Sequence, residues 1–195
     1  MHPSSKIILA SKSPRRKKIL NLIGLDFIIK PSNVDEHLNL DLTPEDFVQY
    51  WSKKKAEKIS VINENKLIIG ADTIVSLDGK ILGKPKNKEQ SYFMLKSLSG
   101  QTHKVITGVT IINKQKNILR TFSETTKVYV KDITNNDIIY YINNYSTLDK
   151  AGGYGIQDWF TIWIKKIDGC FYNVMGFPIS KFYKNYIELE NVKNK

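Results

Sequence analysis

Residues 6–20 read KIILASKSPRRKKIL, and this stretch predicts a strand that turns directly into a helix. The apolar run over residues 6–10 is typical of a short buried strand. Ser13 is a favourable N-cap and Pro14 a favourable first helical residue, so the helix start is well marked. Four cations, residues 15–18, then fill the first turn, where the helix dipole disfavours positive charge. Their placement indicates an anion bound at this end of the helix; a capped helix with a solvated basic turn is the alternative.

The candidate anion site combines backbone and side-chain donors. Free N–H groups of the first turn, the hydroxyls of Ser11 and Ser13, and a guanidinium would all point at one ligand. The chain has 30 basic residues but only three arginines, and two of them, Arg15 and Arg16, lie here. This favours phosphate, because a guanidinium binds phosphate through two parallel hydrogen bonds. Successive helical residues diverge by about 100°. One arginine therefore suffices, and the sequence leaves open which one faces the ligand.

Strand and helix patterns alternate along the rest of the chain. Further strands are predicted over 26–30, 66–77, 80–82, 103–113 and 118–130, and further helices over 43–62, 88–98, 134–145 and after Pro178. This alternation, with a hairpin in the middle, predicts an α/β protein with a mixed twisted sheet and flanking helices. The length of 195 residues suits one large domain or two small lobes. No linker divides the chain, so we expect a single domain over 1–195.

Composition narrows the class of protein. The apolar runs are too short for a membrane span, and the N-terminal stretch lacks the apolar core of a signal peptide. The one cysteine, Cys170, excludes an internal disulfide and fits a reducing compartment, so we expect a cytoplasmic protein. The net charge of +11 favours anionic ligands. Because no cluster of arginine and aromatic residues stands out, nucleic acid is not the expected partner.

Two carboxylates are candidate metal ligands. Asp72 interrupts the apolar strand IIGADTIV, and a buried unpaired charge is costly. We therefore expect Asp72 near a strand end, beside a metal or a cation. Glu36, in the polar loop NVDEHL, would supply a second carboxylate, although it equally suits a solvated acidic loop. Two oxygen ligands completed by substrate phosphates are the usual way of holding Mg²⁺.

Lysines and a glycine-rich loop complete the polar candidates. Lys84 lies in the segment GKP, and one of the three lysines over 53–55 can face a cleft; taken alone, these lysines are better explained as surface charges. The loop KAGGYGIQ, residues 150–157, has three glycines that let a backbone approach a ligand closely. Gln157 offers both a donor and an acceptor there, while a flexible loop is an equal alternative. His103 has no Ser or Cys partner that would indicate catalysis.

Taken in order, these motifs resemble the Maf family of nucleotide pyrophosphatases. The matching stretches, between residues 9 and 179, are LASKSPRRKKIL, VDE, KKKA, GADTIV, LGKP, LSG with HKVITGV, DKAGGYGIQ and NVMGFPI. The resemblance implies a fold of the inosine-triphosphatase type with a cleft between two lobes. It also implies hydrolysis of a nucleoside triphosphate to the monophosphate and pyrophosphate with Mg²⁺ or Mn²⁺, and a homodimer.

The resemblance assigns roles to individual positions. Asp72 matches the family's proposed proton acceptor, and Arg15, Thr73 and Gln157 match positions linked to substrate choice. Further active-site polar positions are matched by Glu36, Lys55 and Lys84.

The loop sequence YGIQ is similar to that of the subgroup acting on dTTP and UTP, with one departure. Asp158 stands where this subgroup usually has Gly, which leaves the shape of the loop open. The alternative from another class is a non-catalytic regulator of cell division or septum formation that binds nucleotides or nucleic acid.

Overall fold

The computed structural model describes residues 7–35 and 41–192. The strands are β1 (Ile7–Leu9), β2 (Phe27–Ile29), β3 (Leu67–Leu77), β4 (Lys80–Leu82), β5 (Thr102–Asn113), β6 (Ile118–Val130) and β7 (Ile164–Asp168). The helices are α1 (Pro14–Asn21), α2 (Pro44–Ser60), α3 (Lys88–Leu98), α4 (Asn135–Asn144), α5 (Phe171–Val174) and α6 (Ile179–Val192), with short 3₁₀ segments at Ala151–Gly153 and Trp159–Trp163. No helix in these ranges is long and apolar enough to cross a membrane.

The strands form one mixed sheet in the order β2-β1-β3-β5-β6-β7, with β4 paired to β3. β1 runs parallel to both of its neighbours, so that Ile8 pairs with Ile28 on one side and Ile68 on the other. β4 is antiparallel to β3, and β7 is antiparallel to β6. The predicted mixed α/β class is therefore confirmed.

The chain divides into two compact units. The first comprises Met1–Asp72, Thr107–Glu124 and Gly176–Lys195, and the second comprises Thr73–Ile106 and Thr125–Met175. A single domain over 1–195, with a cleft between lobes, stays a prediction.

In the first unit, α2 packs very closely against the strands. A Cβ atom at Gly70 would lie 2.2 Å from the carbonyl oxygen of Ser52, and one at Gly108 would lie 2.3 Å from that of Val48. Only glycine leaves room for this approach, because real Cβ atoms essentially never come within 3.0 Å of another heavy atom. Part of the resulting core comprises Ile8, Ala10, Ala56, Ile59, Ile68 and Ile112.

The second unit has an aromatic core beside α3 and α4. The ring of Phe160 lies 5.4 Å from that of Tyr141 and 4.5 Å from that of Tyr154, measured between centroids. All three side chains are buried, as are Leu95 and Ile138. Tyr154 belongs to the glycine-rich loop, so the loop contributes one of its own side chains to this core.

The predicted helix starts are confirmed by their caps. Ser13, Thr43 and Thr134 accept hydrogen bonds from the backbone N–H groups of the third residue onward, and Gly24 ends the α1 turn with φ +66°. Residues 160–167, which read FTIWIKKI, are divided between the 3₁₀ segment Trp159–Trp163 and β7, and α5 was not predicted.

Candidate functional site

The two serines of the turn between β1 and α1 form hydrogen bonds with the backbone of that turn. The N–H of Ser13 donates to Oγ of Ser11 at 3.2 Å, and Oγ of Ser13 accepts from the N–H of Arg16 at 3.4 Å. Ser11 is buried, whereas Ser13 is half-buried. The predicted strand, turn and helix start are all present, and the hydroxyl groups lie at the N-terminus of α1, where partial positive charge favours anions.

Arg16 braces this turn against a distant segment of the same unit. Its Nε donates to the carbonyl oxygen of Gly176 at 2.9 Å, and its Nη1 donates to Oγ of Ser11 at 3.1 Å. Two of its donors are therefore engaged in holding the turn to the residues before α6. Arg15 is half-buried in the same first turn, and Lys17 and Lys18 are exposed.

A buried ion pair joins α2 to β3. Nζ of Lys55 lies 2.6 Å from Oδ1 of Asp72, and the two residues are 9% and 6% exposed. Lys53 and Lys54 instead lie near Glu57, at 3.8 and 3.7 Å, with roughly half-exposed side chains. Of the three consecutive lysines, packing thus selects Lys55 to face the carboxylate. The close approach permitted by Gly70 brings α2 within reach of Asp72.

The cation predicted beside Asp72 is Lys55, whereas the predicted position of Asp72 near a strand end is wrong. Asp72 lies midway along β3 rather than near an end. The physical reason is that Lys55 neutralises the charge where it is buried, so exposure at a strand end is not needed to offset desolvation. Lys55 lies 17 residues upstream on another element, and no local pattern links the two residues.

The part of the chain that the structure describes supplies only some of the ligands that a metal ion needs. Within 7–35 and 41–192 there is no group of three or more His, Cys, Asp or Glu side chains that would hold a metal ion. Asp72 offers a carboxylate, the kind of hard oxygen ligand that Mg²⁺ and Mn²⁺ prefer. Glu36, the second predicted ligand, lies outside the described residues. This donor chemistry fits a divalent ion whose other ligands come from substrate phosphates and water.

In the second unit, the segment around Lys84 is hydrogen-bonded to the glycine-rich loop. The N–H of Gly152 donates to the carbonyl oxygen of Gly83 at 3.0 Å. Gly152 has φ +68°, and a Cβ there would lie 2.9 Å from Cγ2 of Val75. Both the backbone conformation and the lack of space therefore require glycine at this position. Lys84 and Gln157 are both exposed on these joined segments. The predicted glycine-rich loop is thus an ordered turn built on β3.

Thr73, the remaining predicted position, directly follows Asp72 on β3 and is half-buried. It is the first residue of the second unit, whereas Asp72 is the last residue of that stretch of the first unit.

Two residues that hold the loop were missed or left open in the sequence analysis. The Tyr141 hydroxyl donates to the Asp158 carboxylate, 2.9 Å from Oδ1, and accepts from the N–H of Gly155 at 3.0 Å. Burial, and then the charge of Asp158, raise the pKa of Tyr141, so the hydroxyl keeps its proton near neutral pH. Tyr141 lies on the apolar face of α4 and resembles an ordinary core residue in the sequence. Asp158 drew attention only as a departure from the resemblance.

His103 contacts the loop residue Tyr154 as a neutral side chain. Its Nε2 lies 2.7 Å from the hydroxyl of Tyr154, and both residues are buried. Burial lowers the pKa of His103 to about 4 and raises that of Tyr154. The imidazole is therefore uncharged at neutral pH, and its described contact is structural.

Comparison with known proteins places these features in a family. The sequence pattern of the family described as "Maf-like protein" matches residues 6–189. The "dTTP/UTP pyrophosphatase" of Bacillus pumilus (strain SAFR-032) is 46% identical over 91% of this chain and 93% of that protein. The protein of the same name from Carboxydothermus hydrogenoformans is 42% identical over 94% of this chain and 98% of its own length. Among solved structures, the Staphylococcus aureus Ham1 protein is similar with a TM-score of 0.43 at 15% identity, covering 65% of this chain and 72% of that chain.

Proposed function

Because the chain belongs to the Maf family, we propose that it is a nucleoside triphosphate pyrophosphatase that hydrolyses dTTP and UTP to the monophosphate and pyrophosphate. The relatives that carry this name are 42–46% identical to it over most of both chains. The observation that carries the proposal is the buried pair of Lys55 and Asp72, because it holds a carboxylate in a fixed position at the place that the family resemblance assigns to the proton acceptor.

The start of α1 is the proposed phosphate-binding element. The N–H groups of Arg16 and Lys17 are already bonded to Ser13, so the hydroxyls of Ser11 and Ser13 would bind phosphate oxygens at the positive end of the helix dipole. We assign the bracing role to Arg16, because it donates to Gly176 and Ser11, and the phosphate contact to Arg15 on the family resemblance. In that resemblance, Arg15 matches a position linked to substrate choice.

Glu36 and Asp72 are the residues that would hold Mg²⁺ or Mn²⁺. When bound, the ion would supply Lewis-acid polarisation of a phosphoryl oxygen and neutralise part of the triphosphate charge. The substrate phosphates would complete its ligands, in keeping with the lack of any group of three or more metal-ligating side chains within 7–35 and 41–192.

Asp72 is the proposed general base. It would accept a proton from the water that attacks the α-phosphorus, while the bond from that phosphorus to the oxygen bridging to the β-phosphorus breaks. The bridging oxygen would leave with pyrophosphate. Lys55 holds Oδ1 of the carboxylate in place, and Lys55, Lys84 and Arg15 would stabilise the charge that develops on the leaving group.

Gln157 is the proposed reader of the base. Uracil and thymine present an acceptor at O4 and a donor at N3, which the amide N–H₂ and C=O of Gln157 would match. Cytosine presents the reverse pattern and would be rejected, since donor would then face donor and acceptor would face acceptor. Thr73 is assigned to the same recognition by the family resemblance.

We further place the reaction in the cytoplasm, in a homodimer, with nucleotide-pool sanitation as its role. Modified pyrimidine nucleotides would then be substrates alongside dTTP and UTP. These three assignments follow from the family resemblance and the cysteine content, and none of them is needed for the chemistry at Asp72.

Release of pyrophosphate from a panel of nucleotides, with Mg²⁺, with Mn²⁺ and with a chelator, tests the proposal. We expect metal-dependent release from dTTP and UTP and little from dCTP or GTP. Tight binding of these nucleotides without turnover, under every metal condition, would instead favour the non-catalytic regulator. Release from purine nucleotides alone would contradict the assigned base specificity but keep the enzyme class.

A further inference from the structure

We propose that Asp158 and Tyr141 are positioning residues that determine how Gln157 meets the base, an inference that rests on the proposed function. Gln157 is exposed, while Ile156 on one side is buried and Asp158 on the other is half-buried and hydrogen-bonded. The backbone of Gln157 is therefore anchored at both neighbours. Its side chain is the part of this turn that is directed to solvent.

A single hydroxyl closes the turn. The Tyr141 O–H donates to the Asp158 carboxylate, with Oδ1 and Oδ2 at 2.9 and 3.1 Å, and the same oxygen accepts from the N–H of Gly155 at 3.0 Å. Within the turn, the N–H of Asp158 donates to the carbonyl oxygen of Gly155 at 3.4 Å. Residues 155–158 are thus held at both ends by α4. We call this arrangement the Tyr141 clamp.

Asp158 also orders the segment that follows Gln157. Its Oδ1 accepts from the N–H of Phe160 at 3.2 Å and so caps the 3₁₀ segment Trp159–Trp163. Nζ of Lys150, on the other arm of the loop, lies 3.9 Å from Oδ2 of Asp158. One carboxylate therefore contacts α4, the 3₁₀ segment and the start of the loop together. A glycine at 158 would provide none of these three contacts.

The turn is shaped around this carboxylate. A Cβ at Gly155 would lie 2.4 Å from Oδ2 of Asp158 and 2.8 Å from Cε of Lys150. The aspartate occupies space that Gly155 leaves open, so the two residues fit as a pair. The clamp therefore gives a physical role to Asp158, the residue at which this loop departs from the family resemblance.

The clamp predicts an effect on recognition rather than on the chemical step, because its atoms do not include the groups assigned to the reaction. Each of the two variants removes at least two contacts of the clamp, and one hydrogen bond is worth roughly 3- to 10-fold in an equilibrium. We expect Asp158→Gly and Tyr141→Phe to raise KM for dTTP and UTP by about 10-fold or more, to leave kcat within about twofold, and to weaken discrimination against dCTP. Asp158→Asn keeps an oxygen acceptor at the same place, so it should retain most of the discrimination.

Tyr140→Phe is the matched control, since Tyr140 is the neighbouring tyrosine of α4, is 49% exposed and packs its ring on Trp159. Amide hydrogen exchange at Gly155 and Phe160 reports the clamp without any turnover, and faster exchange in Tyr141→Phe but not in Tyr140→Phe is expected. If the wild-type protein is active and the clamp variants keep its KM values and its discrimination, the positioning role is wrong while the proposed function stands. If the wild-type protein hydrolyses no nucleotide, the proposed function fails and the positioning role fails with it.

Discussion

The ammonium group of Lys55 and the carboxylate of Asp72 form a 2.6 Å ion pair in which both side chains are about nine-tenths buried. Such a pair contributes little net stability, because desolvation of two charges offsets much of their attraction. It is an effective device for holding a carboxylate in one place inside an apolar strand. This geometry leads to separate expectations for activity and for stability.

Replacing Asp72 by Asn should abolish most of the activity, and it should also lower the free energy of unfolding because buried Lys55 loses its counter-charge, so activity is compared on folded protein. The amide keeps the size and one acceptor of the carboxylate but does not accept a proton, and general-base catalysis is worth about 10²–10⁴-fold. We expect kcat for dTTP to fall by that factor, measured as pyrophosphate release by a protein with an unchanged circular dichroism spectrum. Asp78→Asn is the control, since Asp78 lies on the exposed turn after the same strand at φ +49°, which Asn tolerates. Wild-type turnover by Asp72→Asn would sink the general-base assignment.

Replacing Lys55 by Met should destabilise the fold because it leaves a buried carboxylate without its cation. Breaking one side of a buried pair costs about 3–5 kcal/mol in the free energy of unfolding. Lys53→Met should cost less than about 1 kcal/mol, since Lys53 belongs to an exposed pair. Urea unfolding of both variants measures the contrast. The double variant Lys55→Met with Asp72→Asn should recover part of the loss, and equal losses in the single and double variants would show that the pair is not the cause.

Local signals predicted the parts of the fold that local physics decides. Ser13 and Thr43 satisfy free N–H groups within three residues, and Gly24 adopts a left-handed conformation that other residues disfavour. The helical repeat predicted that one of the three lysines over 53–55 can face a cleft, but not which one. The selection of Lys55 depends on how closely α2 packs on the strand, which is decided by Gly70 and cannot be seen in the sequence around 53–55.

The clamp shows why the rest of the site was not predictable. Tyr141 and Asp158 are 17 residues apart on different elements. The tyrosine lies in the apolar pattern of α4, which predicts core packing and says nothing of its hydroxyl. Pairing of this kind is decided by tertiary packing, and sequence periodicity reports only which face of a helix is buried.

Replacing Gly70 by Ala should be among the most destabilising small substitutions in the first unit. The new Cβ would lie 2.2 Å from the Ser52 carbonyl oxygen and 2.8 Å from the Ala56 nitrogen, both backbone atoms that cannot rotate away. Overpacking typically costs about 1–3 kcal/mol, and α2 would have to shift to relieve it. Gly83→Ala is the stability control, because a Cβ there meets nothing within 4 Å. Equal unfolding midpoints for the two variants would contradict the close packing of α2.

Substitutions of the two adjacent arginines should change different measured quantities, KM for Arg15 and the melting temperature for Arg16. Arg15→Gln is expected to raise KM for dTTP by about 10-fold or more, because a charge-assisted bond to phosphate is worth about 1.5–3 kcal/mol. Arg16→Gln should instead lower the melting temperature, since it removes the bonds to Gly176 and Ser11. Steady-state kinetics and thermal unfolding of both variants measure this split. The reverse pattern would exchange the roles that we assign to the two residues.

Stability should fall as the pH drops from about 6.5 to about 4, in part because of His103. Burial lowers the pKa of His103 to about 4 in the folded protein, against about 6.5 in the unfolded chain. Between these values the unfolded chain binds the additional proton, so the free energy of unfolding rises with pH and is lost on acidification, by at most about 3 kcal/mol. His103→Gln keeps a polar group beside Tyr154 and does not titrate. Urea unfolding at pH 7 and pH 4.5 should therefore show a smaller loss for this variant than for the wild-type protein, whose carboxylates are the same; equal losses would show that His103 does not take up a proton on unfolding.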